Sequence, residues 1–136
     1  MSAELESYRS NLRVLGTVAL VVAVLWLLGA GLFGLTGTLG GLGILDPHES
    51  PMERLFGVIG TAVVSLLCLA SGAANLVAGI GLRRVVPWGR TAGFVAAALN
   101  IVAGCGCAVG LGLGIWMLVV LLDSRAGAAF ATPADA

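Results

Sequence analysis

Apolar residues in this chain come in four long blocks. No Asp, Glu, Lys, Arg or His falls in the centre of any of them, and the charges sit at the block ends. A helix that crosses a bilayer needs about 20 largely apolar residues to span roughly 30 Å of hydrocarbon. The blocks predict helices at about 12–35, 51–82, 87–104 and 106–122. The expected fold is an all-α membrane protein: a single domain over 1–136, with four transmembrane helices in an antiparallel up-down bundle.

Local signals sharpen the ends. Ser50 and Glu53 have the spacing of a capping box, and Pro51 falls at the first helical position, where its missing N–H is harmless. Pro87 is expected to open the third helix, and Asp123, Ser124 and Arg125 to stop the fourth. Gly31, Gly34, Gly37, Gly40 and Gly43 recur every third residue. They offer either a close packing groove or a glycine-weakened exit from the helix. The exit is the expectation, because a helix from Leu12 to Leu45 would be about 50 Å long. The Ala-rich tail after Arg125 is expected to be loose. Arg9 and Arg13 ahead of an apolar run also imitate a secretory signal, but the run exceeds a usual signal core, and a retained first helix is expected.

Composition agrees with lipid as the solvent. Charged residues make up only 10% of the 136 residues and hydrophobic ones 59%, against about 25% charged in soluble domains; mean hydropathy is +1.06. The formal net charge is zero, which gives no global pull toward nucleic acid. The basic residues are all Arg, a pattern of GC-rich bacterial genomes. Arg83, Arg84 and Arg90 lie within eight residues between apolar runs and mark a loop that is not translocated. With both termini cytoplasmic, Arg9, Arg13, Arg83, Arg84, Arg90 and Arg125 lie inside and only Arg54 outside, as expected of a multi-pass protein of a bacterial inner membrane. Arg83, Arg84, Trp88 and Arg90 are the expected interface residues. The 83–90 loop would meet anionic headgroups at about 1 kcal/mol per arginine.

Within the blocks, the strongest polar side chains are two amides. Asn75 lies eight residues before Arg83 and Asn100 ten after Arg90, so in a hairpin both sit roughly 12–15 Å from the cytoplasmic surface. They are expected to pair, since an amide turned to lipid costs more than such a bond returns; the functional alternative is a polar patch lining a cavity. Ser71, Asn75 and Gly79 are spaced by four, as are Gly89, Gly93 and Ala97, and Gly106, Gly110 and Gly114. Each set is expected to form a small-residue stripe that packs a neighbouring helix within the chain.

Other motifs carry little chemistry. Asp46, His48, Glu49 and Glu53 lack a second histidine or a cysteine, so no metal or cofactor is expected there. Cys105 and Cys107 read as turn residues, and the glycines near them follow no strand that could open a nucleotide site. Asn75 to Gly81 and Asn100 to Gly106 look alike, but a duplicated transporter half would pair other helices. Trp26 and Trp116 fall at mid-membrane, where they either line a pocket between helices one and four or simply pack.

Arg83-Arg84, Pro87-Trp88-Gly89-Arg90, Gly114-Ile115-Trp116, the stretch from Val119 to Leu122, and Phe130 together resemble a group of uncharacterised small bacterial four-helix membrane proteins. The resemblance covers less than half the chain and implies four helices and no catalytic residues. It departs at Gly104, Cys105, Gly106 and Cys107, where the group often has a proline-containing loop.

The absence of ionisable groups inside the blocks argues against a proton-coupled carrier or an intramembrane hydrolase. The expected role is therefore not enzymatic: a structural or accessory protein that packs against other membrane subunits or itself. The alternative is a homo-oligomeric pore for a small solute or ion, lined by Asn75, Asn100, Ser71 and Thr61. A lipid-acting enzyme at the arginine face ranks last, since no nucleophile or base stands near it.

Overall fold

In the computed structural model, which describes residues 3–46, 48–104 and 108–131, the chain is all-helical. The helices are α1 (Ala3–Gly41), α2 (Pro51–Arg84), α3 (Pro87–Ala103), α4 (Ala108–Leu122) and α5 (Ser124–Ala131). Among the described residues, α1 and α2 are each long and apolar enough to cross a membrane, which marks a membrane protein. A third span arises only if α4 and α5, bent by 74°, are counted as one.

The α1–α2 hairpin is the frame. Its second helix starts as a full capping box: the Glu53 N–H donates to Ser50 Oγ at 3.3 Å and the Ser50 N–H donates back to Glu53 Oε2 at 3.0 Å. The first helix does not stop at residue 35. It continues through Gly31, Gly34, Gly37 and Gly40 to Gly41, where Gly43 at φ +70° closes it. There the Ile44 N–H reaches Leu39 O and the Gly43 N–H reaches Gly40 O, the paired bonds of a left-handed glycine cap.

Helix continuity through the glycines follows from what they meet. Glycine's penalty is modest per residue, and α2 lies against this segment. A Cβ on Gly34 would touch Ser65, one on Gly37 would collide with Thr61, and one on Gly41 would come within 2.9 Å of Val58. Steps of three drift by about 60° around a helix, so the repeat cannot face one partner throughout. Gly31 and Gly40 accordingly meet nothing within 4 Å.

α3 and α4 are shorter and cover only one end of the hairpin. The core joins Leu12 and Leu15 of α1, Ala78 and Leu82 of α2, Ala96 and Ala97 of α3, and Leu113, Met117 and Leu121 of α4. The tail is not loose up to Ala131. It forms α5, whose Ala126, Ala129 and Phe130 are buried in the same core. Asp123 makes the corner: its carboxylate accepts the Arg125 N–H at 2.8 Å and its carbonyl accepts the Ala126 N–H.

Candidate functional site

Two groups of polar side chains are built by this packing. The first is a buried node where α1 to α4 meet. Asn75 and Asn100 are fully buried and exchange both amide hydrogen bonds: Asn75 Nδ2 donates to Asn100 Oδ1 at 3.0 Å, and Asn100 Nδ2 to Asn75 Oδ1 at 2.9 Å. Asn75 Nδ2 also donates to Ser71 O at 2.8 Å. From α1, Trp26 Nε1 donates to Asn100 Oδ1 at 3.0 Å, and the Met117 sulfur of α4 lies 4.0 Å from Asn100 Nδ2. The Trp26 bond was not visible in the sequence, although an indole N–H in an apolar run needs an acceptor and only two amides were on offer.

Both amides keep both ends occupied and stay neutral, so the node fixes the position of four helices and offers no proton carrier or nucleophile. It is a lock at the level of packing. Beside it, Trp26, Val22, Leu25, Gly29, Phe33, Cys68, Val109 and Gly110 line an apolar hollow of about 360 Å³ between α1 and α4. Trp116 does not line it; it is 40% exposed on the outer face of α4.

Small residues bring the helices close, but each stripe is divided among neighbours. A Cβ on Gly79 would meet Leu20 and the Gly16 carbonyl of α1, while Asn75, one turn earlier, faces α3. Gly81 and Gly89 bring the backbones of α2 and α3 into contact: a Cβ on Gly81 would lie 2.6 Å from the Gly89 Cα. Gly93 accommodates Leu121, Gly110 accommodates Trp26, and Gly114 lies against the Ala97 carbonyl and Ile101. Ser71 is fully buried, and its hydroxyl makes no hydrogen bond among the described residues. Gly106, Cys105 and Cys107 lie outside the described residues. Gly16, Gly72 and Gly104 belong to the same contacts, and their spacing gave no signal.

The second group is the basic end. The Tyr8 hydroxyl donates to the Val120 carbonyl, and Arg90 Nη2 to the Leu121 carbonyl at 3.4 Å. These are two of the last carbonyls of α4, which have no partner inside their own helix and form its negative pole. Arg90 also stands 5.9 Å over the Phe94 ring, and Arg9, only 8% exposed, donates to the Ala129 carbonyl of α5 at 3.5 Å. Arg9 and Arg90 thus hold α4 and α5 in place. Arg83 and Arg84 are exposed, and Trp88 is half-exposed with its ring against Gly81.

His48 is exposed, and its backbone N–H donates to Asp46 Oδ1 at 2.9 Å. Among the described residues no three His, Cys, Asp or Glu side chains converge as metal ligands. Comparison with protein-family models, with curated proteins and with solved structures returns no match.

Proposed function

We propose that this chain is a non-enzymatic integral membrane protein of a bacterial inner membrane, acting as a structural or accessory subunit of a larger membrane assembly. In this reading α1 to α4 all cross the bilayer as an antiparallel up-down bundle, with both termini and the 83–90 turn on the cytoplasmic side. The arginine bias supports that orientation. The single observation that carries the role is the unequal reach of the two hairpins. α1 and α2 are 39 and 34 residues long and α3 and α4 only 17 and 15. The end of the α1–α2 hairpin past Phe33 and Cys68 therefore reaches beyond α3 and α4 among the described residues. Its surface carries Leu35, Leu55, Phe56, Ile59 and Leu66, all at least 50% exposed.

A homo-oligomeric pore has less support. Asn75, Asn100 and Ser71 are buried inside one chain, and Thr61 turns its hydroxyl back onto the Gly57 and Val58 carbonyls.

The test is the native mass of the protein in lipid nanodiscs, with co-purifying chains identified by mass spectrometry. A fixed set of other membrane proteins is the expected result; a monomer without stable partners overturns it. Labelling of single cysteines placed at Ser7, Glu49 and Gly127 from either side checks the topology. Ser7 and Gly127 should react from the cytoplasmic side and Glu49 from the opposite one.

A further inference from the structure

The arginines at the basic end divide by what they do. Arg9 and Arg90 are turned inward onto helix carbonyls, and Arg125 pairs with Asp123 at 3.9 Å. The guanidinium groups of Arg13, Arg83 and Arg84 have no carboxylate or hydrogen-bond partner among the described residues. Two of these three converge. Arg13 of α1 and Arg83 of α2 line one open groove of about 530 Å³, together with Ser10, Val14, Thr17 and Val18.

The groove is shaped by a specific contact. The stem of Arg83 lies across α1 at Gly16, where an added Cβ would fall 2.9 Å from its Cγ. Ser10, Arg13, Val14, Thr17 and Val18 follow the three- and four-residue steps of one helix face. The Thr17 hydroxyl is bonded to the Arg13 carbonyl at 2.9 Å, which leaves Ser10 as the neutral donor. No acidic side chain lines the groove. Continuing down the same face, Val21 and Leu25 are more than half exposed, so the charged mouth opens onto an apolar track.

A site with two guanidinium forks at the mouth and an aliphatic track beneath matches an amphiphile with a phosphate head. Arginine forks suit phosphate oxygens geometrically, and basic recesses between membrane helices bind anionic headgroups. We propose that the Arg13–Arg83 groove binds the phosphate of an anionic phospholipid, with an acyl chain laid along Val14, Val18, Val21 and Leu25. This site lies between α1 and α2, where Arg83 at the edge of the 83–90 turn is joined by Arg13 of α1, and it rests on the membrane-spanning reading above.

The experiment reconstitutes the full chain in vesicles of phosphatidylcholine mixed with phosphatidylglycerol, releases it gently, and counts retained lipids by native mass spectrometry. The unmodified protein should retain phosphatidylglycerol selectively. An Arg13→Gln/Arg83→Gln double variant should lose that retention by about tenfold or more, whereas Arg54→Gln/Arg125→Gln, with equal charge removed, should keep it. Equal retention in the first double variant, or equal loss in the second, overturns the site. Inorganic phosphate added in excess should not displace the lipid; displacement would make this a free-phosphate site and overturn the lipid assignment. On the unmodified chain, phosphatidylglycerol with a photoreactive acyl chain should label residues 14–25 preferentially, and even labelling of the whole apolar surface would count against the groove. A chain that fails to enter vesicles at all removes the membrane reading along with it, an outcome distinct from entry without lipid preference.

Discussion

Asn75 and Asn100 each satisfy the other's amide across α2 and α3, at 3.0 and 2.9 Å, and Asn100 additionally accepts the indole N–H of Trp26. The two are therefore not equivalent. Replacing Asn100 with Leu strands two donors and one acceptor in the interior, while replacing Asn75 leaves Asn100 still holding Trp26. Both changes should destabilise the fold, by about 1–3 kcal/mol, with Asn100→Leu the more severe. Asn75→Leu/Asn100→Leu should cost less than the sum of the singles, since each already breaks the shared pair. Reversible unfolding in mixed micelles measures all three, and strict additivity would show that the pair is not coupled.

The backbone contact at Gly81 and Gly89 predicts a sharp contrast among glycines. Gly81→Ala or Gly89→Ala puts a methyl into the facing backbone, which no side-chain rotation can relieve. Either should lower stability by about 1–3 kcal/mol. Gly57 and Gly60, on the same helix as Gly81, face open space. Their replacement by Ala should be neutral or stabilising, by up to about 1 kcal/mol. Thermal midpoints in detergent would order the four variants.

The contacts that seat α5 and the end of α4 before it predict what happens when they are cut. Tyr8→Phe removes the hydroxyl from the Val120 carbonyl and should cost about 1 kcal/mol. Phe130→Ala removes a buried ring and should cost about 3 kcal/mol. Hydrogen exchange over residues 124–131 should quicken in both, with more in the second; unchanged protection in Phe130→Ala would mean that α5 does not depend on its core contact.

At the other end, Ser50→Ala breaks the capping box. It should cost about 1 kcal/mol and speed exchange of the amides at residues 52–54 while leaving the Asn75 region unaffected.

Some of this arrangement could be read by counting. The polar breaks at Asp46 and Arg83 bound α2 because a charge cannot continue an apolar run, and Ser50 with Glu53 states the start of α2 in local chemistry. The common depth of Asn75 and Asn100 follows from helical rise measured out from the arginine turn. The last turns of α1, residues 36–41, escape a sequence reading because glycine's weakness as a helix former is a local property, whereas Gly34, Gly37 and Gly41 are held by Ser65, Thr61 and Val58 of the next helix. The Ser65 hydroxyl adds a bond to the Ala30 carbonyl at 2.9 Å. The tail was misread for a related reason. Ala126, Ala129 and Phe130 carry little helical signal on their own, and the groups that anchor α5 and its corner, Tyr8 and Arg9, lie at the opposite end of the chain. Membership of the node was half legible: two amides announce themselves in an apolar run, but the stripes of four could not say that Gly79 would turn to α1 while Asn75 turned to α3.

The unequal helix lengths reach beyond the chain itself. Residues 14–41 of α1 are uncharged over roughly 42 Å, and α3 is roughly 25 Å long. In the proposed arrangement, in which all four helices cross, the surrounding lipid would meet a tall flank on one side of the molecule and a low flank on the other. Tilting the tall hairpin shortens its projected height but also rotates the low one, so no single tilt satisfies both. The bilayer must then step in thickness across the width of one small protein. Such a molecule would collect where thick and thin membrane meet, or beside a taller neighbour that shields its tall side, and either preference would direct it to particular places in the membrane without any chemical recognition.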